Sequence, residues 1–125
     1  MAELQDKISK QFPGATFEEG EILLINIADA QLHDLVKTLR DEHGFNYLVT
    51  IVGMDWKTSL GCVYYLADAA MSRFVSVKTQ TEDRDTPMLH SIADLYRIAG
   101  ILEREVYDFY GIVFIGNPDM RRLFL

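Results

Sequence analysis

Three strand-like runs follow one another closely in the middle of the chain, and they constrain its fold more than any other feature. They cover residues 45–54, 61–67 and 73–79 and are rich in β-branched and aromatic residues. Because the connections between them are short, we expect them to pair as antiparallel neighbours. Two earlier segments also indicate strands: residues 21–27 form a nearly continuous apolar run, and residues 15–19 could form a short strand before it.

Apolar spacing predicts helices on both sides of these strands. The most regular pattern predicts a helix over residues 30–43, with Asp29 as its cap and Gly44 as its left-handed end. An amphipathic helix is predicted before Pro13, from apolar residues at four-residue spacing: Leu4, Ile8 and Phe12. Ser91 and Asp94 form a capping-box pattern that predicts another helical stretch. A last helix is expected from about Leu102 to Tyr110, ending at Gly111.

This order of elements predicts one α+β domain over residues 1–125. We expect a two-layer sandwich in which helices pack on a mostly antiparallel mixed sheet. The helix at 30–43 should lie on a sheet built from the runs at 21–27, 45–54, 61–67 and 73–79. No internal domain boundary is evident in the sequence.

Charge and composition exclude several classes of function. The 125 residues include 19 acidic and 12 basic side chains, a net charge of −7, which argues against binding nucleic acid or an anionic membrane surface. The one cysteine excludes a disulfide framework or a four-thiolate iron–sulfur cluster within one chain. The N-terminus lacks the features of a secretory signal, and the mostly apolar stretch at 44–54 is too short to span a bilayer. We therefore expect a chain in a reducing compartment, without a membrane span of its own.

Motif searches give no catalytic or cofactor signature. The sequence contains no phosphate-binding glycine loop, no dinucleotide fingerprint and no zinc-protease motif. The segment Asp41-Glu42-His43 could hold a divalent metal, but a charged helix end explains it more simply. Cys62 could be a nucleophile only if a histidine converged on it, and a buried structural thiol is the simpler interpretation. We expect no cofactor and no metal site.

Charged and aromatic residues are densest in the segment 102–125. Arg104 and Asp108 are four residues apart and could pair on a helix. Glu103, Glu105 and Asp108 could instead suggest paired acid–base carboxylates. However, Glu103 and Glu105 diverge by about 200° on a helix, so they cannot share a site from one helix. A structural or interface role is favoured over catalysis.

The end of the sequence favours docking onto another protein. Arg121 and Arg122 precede Leu-Phe-Leu, with little chain left to cover them. The alternative is that this tail folds back on its own sheet.

At these residues the sequence resembles a known family. The segment from Glu103 to Ile112, then Phe114, then Gly116 to Arg122 resembles the signature of the 30 kDa subunit family of respiratory complex I, NADH:quinone oxidoreductase. Upstream, a looser likeness covers Met54-Asp55-Trp56, Tyr64-Tyr65-Leu66 and the segment 91–96. The likeness extends over about residues 20–125 and is strong only from Glu103 onward.

Two departures from the family pattern leave a related branch open. Asn117 stands where family members usually have histidine, and Gly100-Ile101 stands where they usually have Asn-Trp. Subunits of energy-converting membrane-bound [NiFe] hydrogenases and formate hydrogenlyases share the signature. The family's chain also usually continues beyond the double arginine, whereas this sequence ends at Leu125. It therefore corresponds either to a short form or to a shortened chain.

The resemblance implies a role in assembly. A member of this family holds no redox centre and docks, in the peripheral arm, on the large subunit related to the [NiFe]-hydrogenase catalytic chain, on the cytoplasmic side of the inner membrane. It would contribute to an NADH dehydrogenase complex that reduces quinone without holding the active site. The likeness assigns the interface to seven residues: Glu103, Arg104, Asp108, Pro118, Asp119, Arg121 and Arg122. An independent small acid–base enzyme is the alternative from another class.

Overall fold

The computed structural model describes residues 2–118 and residue 120. Three helices and seven strands alternate along this part of the chain. In order they are α1 (Ala2–Gln11), β1 (Thr16–Glu18), β2 (Leu23–Asn26), α2 (Asp29–His43), β3 (Tyr47–Asp55), β4 (Leu60–Ala67), β5 (Phe74–Thr81), β6 (Met88–His90), α3 (Ala99–Tyr110) and β7 (Val113–Ile115).

Five of the strands form one mixed sheet in the order β1-β2-β5-β4-β3. The pairs β3–β4 and β4–β5 are antiparallel, as the short connections predict, and β2 joins β5 in parallel. The connection from β2 to β5 runs through α2, β3 and β4, which gives the long crossover that a parallel neighbour requires. The predicted α+β fold, with helices on a mostly antiparallel sheet, is confirmed.

The helices cover the sheet face that carries the fully buried side chains of β4 and β5. These alternate along the strands, as one face of a sheet must: Cys62, Tyr64 and Leu66 on β4, and Val75 and Val77 on β5. The α2 helix contacts β5, and α3 contacts β3. Their buried side chains join those of the sheet and of α1 in one connected core.

Two helix ends match the sequence pattern and two starts do not. Gly44 and Gly111 both adopt the left-handed conformation at the ends of α2 and α3, at φ 78° and 75°. However, Asp29 is not the cap of α2, because Ala28 holds that position and the Asp29 carboxylate accepts a hydrogen bond from the His90 backbone N–H.

The second difference concerns the segment after Ser91, where turns replace the predicted helix. The Ser91 hydroxyl accepts a hydrogen bond from the Ala93 N–H and donates one to Glu103, while Asp94 faces His33 on α2. Both side chains of the capping pattern therefore make other contacts and do not cap a helix. The helix begins instead at Ala99, three residues before the predicted start at Leu102.

Candidate protein-protein interface

Glu103 is the centre of a buried hydrogen-bond network. It lies on α3 and is 0% exposed. Its carboxylate accepts hydrogen bonds from Ser91 Oγ at 2.6 Å, from the Ile92 N–H at 2.8 Å and from Asn117 Nδ2 at 2.9 Å. Three donors from two separate segments thus converge on one side chain of the helix.

Glu103 is less acidic than an ordinary glutamate in spite of this network. Burial raises its pKa to about 6, because a desolvated carboxylate is disfavoured in its charged form. The hydrogen bonds from Ser91, Ile92 and Asn117 act in the opposite direction and limit the rise. Glu103 lies inside the protein, so it can serve an interface only through the segments that it holds.

The two departures from the family pattern meet at this network. Asn117 is buried, and its Nδ2 donates both to Glu103 and to the Gly100 carbonyl, at 2.9 and 3.1 Å. Residues 100 and 117 are therefore in direct contact. The Asn117 amide thus ties the turn that follows β7 to α3.

Three other members of the predicted interface lie within the described residues, on α3 and just beyond β7. Asp108 and Pro118 are exposed, and Arg104 is half-buried. The pairing of Arg104 with Asp108 that the spacing allows is not formed, and neither side chain joins any ion pair within the described residues. Asp119, Arg121 and Arg122 lie outside the described residues.

A row of exposed side chains on α3 was missed by the sequence reasoning. Ile98, which precedes the helix, is 46% exposed, Ile101 is 60% exposed and Phe109 is 84% exposed. Exposed Glu105 lies between the last two. Their spacing of three, four and four residues could have revealed a second helical stripe, but the apolar pattern was used only to find the core-facing side.

Phe109 also borders a shallow groove between α3 and the edge strand β3. Glu105, Val106 and Tyr110 line its helix side, and Ile51, Val52 and Gly53 line its strand side. A Cβ at Gly53 would lie 2.5 Å from Tyr110 Cε2, so the absence of a side chain at this position lets α3 sit against β3. The groove and the row on α3 form one continuous surface.

The metal candidate and the nucleophile candidate from the sequence lie in ordinary structural surroundings, and so do the two histidines outside them. Asp41 accepts a hydrogen bond from Arg40 Nε at 2.8 Å, and the described residues contain no group of three side chains arranged to hold a metal. Cys62 is fully buried in β4, and burial raises the pKa of its thiol far above the ordinary value. His33 and His90 face Asp94 and Asp29 at 2.8 and 2.6 Å.

No helix within residues 2–118 has the length and apolar character needed to cross a bilayer.

The exposed side chains along α3 and the groove beside β3 are the candidate contact surface of this fold. The family model "Respiratory-chain NADH dehydrogenase, 30 Kd subunit" matches residues 25–125. The chain belongs to this family.

Relatives and solved structures agree with the family match. The chain is 42% identical over 110 residues to the C/D component of the NADH-quinone oxidoreductase of Bacteroides fragilis, covering 79% of this chain and 21% of that one. It is 38% identical over 107 residues to the C component of the NADH-quinone oxidoreductase of Erythrobacter litoralis, covering 83% and 42%. The chain thus spans less than half the length of either relative.

Two solved structures share the fold. A trypsin-resistant fragment of Nqo5 superposes with a TM-score of 0.81 at 27% identity, covering 94% of this chain and 97% of that one. A chain of the membrane-bound sulfane sulfur reductase, an archaeal respiratory membrane complex, gives 0.82 at 26% identity, covering 99% and 75%.

Proposed function

We propose that this chain is a non-catalytic assembly subunit in the peripheral arm of an NADH:quinone oxidoreductase-type complex. Membership of the 30 kDa subunit family carries the proposal. The partner that it docks on is the large hydrogenase-related subunit, called the large subunit below. The fused relatives support this choice, because their name joins a C and a D component in one protein, and we take the D component to be that large subunit.

The interface centres on the exposed parts of α3 and the segment after β7. Within the described residues, the interface consists of Arg104, Asp108 and Pro118. We propose that it extends to Asp119, Arg121 and Arg122. Glu103 acts indirectly. Its carboxylate holds Asn117 against α3 and so fixes the position from which the following segment extends.

The second candidate function is the same role in a related complex that has a different electron acceptor. The likeness to a chain of the sulfane sulfur reductase complex favours a shared docking module that several membrane-bound complexes use. The energy-converting [NiFe] hydrogenases and formate hydrogenlyases belong to the same set of alternatives. An acid–base enzyme is disfavoured, because Glu105 and Asp108 lie exposed on a helix surface rather than in a closed pocket.

Location and cofactor content follow from the same proposal. The chain is held at the cytoplasmic side of the inner membrane through its partners, and it carries no redox group of its own. The purified chain should therefore be colourless and should not oxidise NADH. Visible absorbance from a bound flavin or cluster would contradict this part of the proposal.

The double arginine offers a direct test of docking. We expect the Arg121→Ala/Arg122→Ala variant to reduce co-purification with a co-expressed large subunit at least tenfold, since truncating an interfacial arginine commonly costs ~2 kcal/mol or more. The melting temperature should stay nearly unchanged. A matched control, Lys7→Ala/Lys10→Ala on α1, removes the same charge and should leave co-purification intact. A double-arginine variant that unfolds, yet still associates in its folded fraction, would contradict the docking role.

A further inference from the structure

The solvent-facing side of α3 and the residue before it carry a row of three apolar side chains and one glutamate that the domain's own core does not use. We call the four residues Ile98, Ile101, Glu105 and Phe109 the α3 stripe. At 100° per residue they fall within a sector of about 80°, and at 1.5 Å per residue they extend over about 16 Å. The sector points away from Glu103, which lies in the core.

A helix with apolar side chains on two opposite sides is normally buried on both. The core side of α3 is already covered, since Ala99 and Val106 are buried. Single exposed apolar residues are ordinary on protein surfaces, but a continuous patch marks a contact site. Here the stripe continues into the groove that Val52 and Tyr110 border.

The two exposed carboxylates on this side of α3 favour a basic partner surface, and Arg104, the cation of the candidate interface, is only half-buried. Glu105 and Asp108 are exposed and join no ion pair in the described part of the chain. Asp108 also lies in the last turn of α3, which contains no basic residue, at the negative end of the helix dipole. A partner that supplies lysine or arginine beside an apolar groove would satisfy both carboxylates.

A second copy of this chain fits poorly. A symmetric contact through the stripe would bring the same carboxylates of both copies together, and each chain already has a net charge of −7. Like charges across an interface oppose association. The favoured occupant is therefore a different, basic surface.

We propose that the α3 stripe inserts Phe109 into an apolar groove rimmed by basic side chains on the large subunit. The inference rests on the proposed function and identifies the part of this chain that anchors the contact. Phe109 is the anchor because it is the most exposed large apolar side chain among the described residues.

Co-expression with the large subunit tests the anchor. Phe109→Ala should lower the recovered amount of that partner at least tenfold, and Ile101→Ala severalfold. Phe74→Ala is the matched control, since Phe74 is a partly exposed phenylalanine at the start of β5, outside the stripe. It should change recovery less than twofold. Because Phe109 is 84% exposed, its replacement should leave the melting temperature of this chain within about 2 °C.

Association kinetics test the charge. Glu105→Gln and Asp108→Asn should each slow association with the large subunit about threefold to tenfold at low salt, and the difference should vanish at high salt. Faster association of either variant would mean an acidic partner surface and would overturn the proposal.

The remaining outcomes separate the inference from the proposed function. If the wild-type chain and the Phe109→Ala variant captured the large subunit equally well, the role of the α3 stripe would be overturned and the proposed function would stand. Failure of the wild-type chain to capture the large subunit would overturn both. A dimer of this chain that Phe109→Ala dissociates would assign the stripe to self-association and overturn the inference alone.

Discussion

Replacing Glu103 by glutamine should make the stability difference from the wild-type protein depend on pH. The folded pKa of Glu103 is about 6, against an ordinary value of 4.5. Between these values the native state binds more protons than the unfolded state, so the wild-type protein loses stability as pH rises. The full loss is about 1.5 units at 1.36 kcal/mol each, or about 2 kcal/mol. The loss begins near the unfolded pKa and is complete by about pH 7.

Most of this change falls in an accessible window. From pH 5.0 to pH 7.5 the linkage relation gives a loss of about 1.2 kcal/mol for Glu103 alone. The Glu103→Gln variant lacks this titration, whereas every other group titrates in both proteins. When the pH falls from 7.5 to 5.0, the free energy of unfolding of the wild-type protein should therefore rise by about 1.2 kcal/mol relative to that of the variant.

At pH 7.5 the wild-type protein and the Glu103→Gln variant should differ little in stability. The new amide presents one oxygen and one NH₂ group to Ile92 N–H and Asn117 Nδ2, so one donor loses its acceptor at a cost of about 1–3 kcal/mol. Removing the desolvated charge offsets about 2 kcal/mol of that cost.

Urea unfolding of both proteins at the two pH values measures these quantities. A difference that is the same at both pH values would refute the argument that burial dominates the environment of Glu103. If the variant became more stable relative to the wild-type protein at the lower pH, the predicted direction of the pKa shift of Glu103 would be wrong.

Two further predictions concern the packing of the sheet. Gly53→Ala should destabilise the protein by about 1–3 kcal/mol in urea unfolding, because the new Cβ would lie 2.5 Å from the Tyr110 ring and 3.1 Å from Val106 Cγ1. Gly14→Ala, whose Cβ would meet nothing closer than 3.6 Å, is the control and should change stability little. Cys62 should react with a thiol reagent at least 100-fold more slowly in the native protein than in urea, since its thiol is buried and its pKa is raised. Prompt labelling of the native protein would show that β4 is open to solvent.

Local sequence patterns predicted the elements whose stability is local. The helix expected at 30–43 is found at Asp29–His43, because its apolar stripe and the glycine at its end act within the element itself. The central strands were found for the same reason. Their antiparallel pairing followed from short connections.

Contacts between distant segments account for what the sequence did not predict. The parallel pairing of β6 with β7 joins segments far apart in the chain and has no local signal. The capping pattern at Ser91 was misleading, because its hydroxyl binds Glu103 and its partner Asp94 faces His33.

The candidate interface was predicted only in part. The family signature selected charged residues without separating exposed from buried positions, so Glu103 and Asp108 were grouped although one is 0% exposed and the other faces solvent. Phe109 belonged to the quoted signature, but only the structure reveals that its ring points outward.

Purification of the native complex tests the assembly role most directly. The chain, tagged and expressed in the organism that encodes it, would be recovered from solubilised membranes, and the accompanying proteins would be quantified by mass spectrometry. We predict recovery of the large hydrogenase-related subunit in a one-to-one ratio, together with other subunits of a membrane-bound oxidoreductase. Recovery of the chain alone, or with an enzymatic activity that persists after every other protein is removed, would contradict the assembly role.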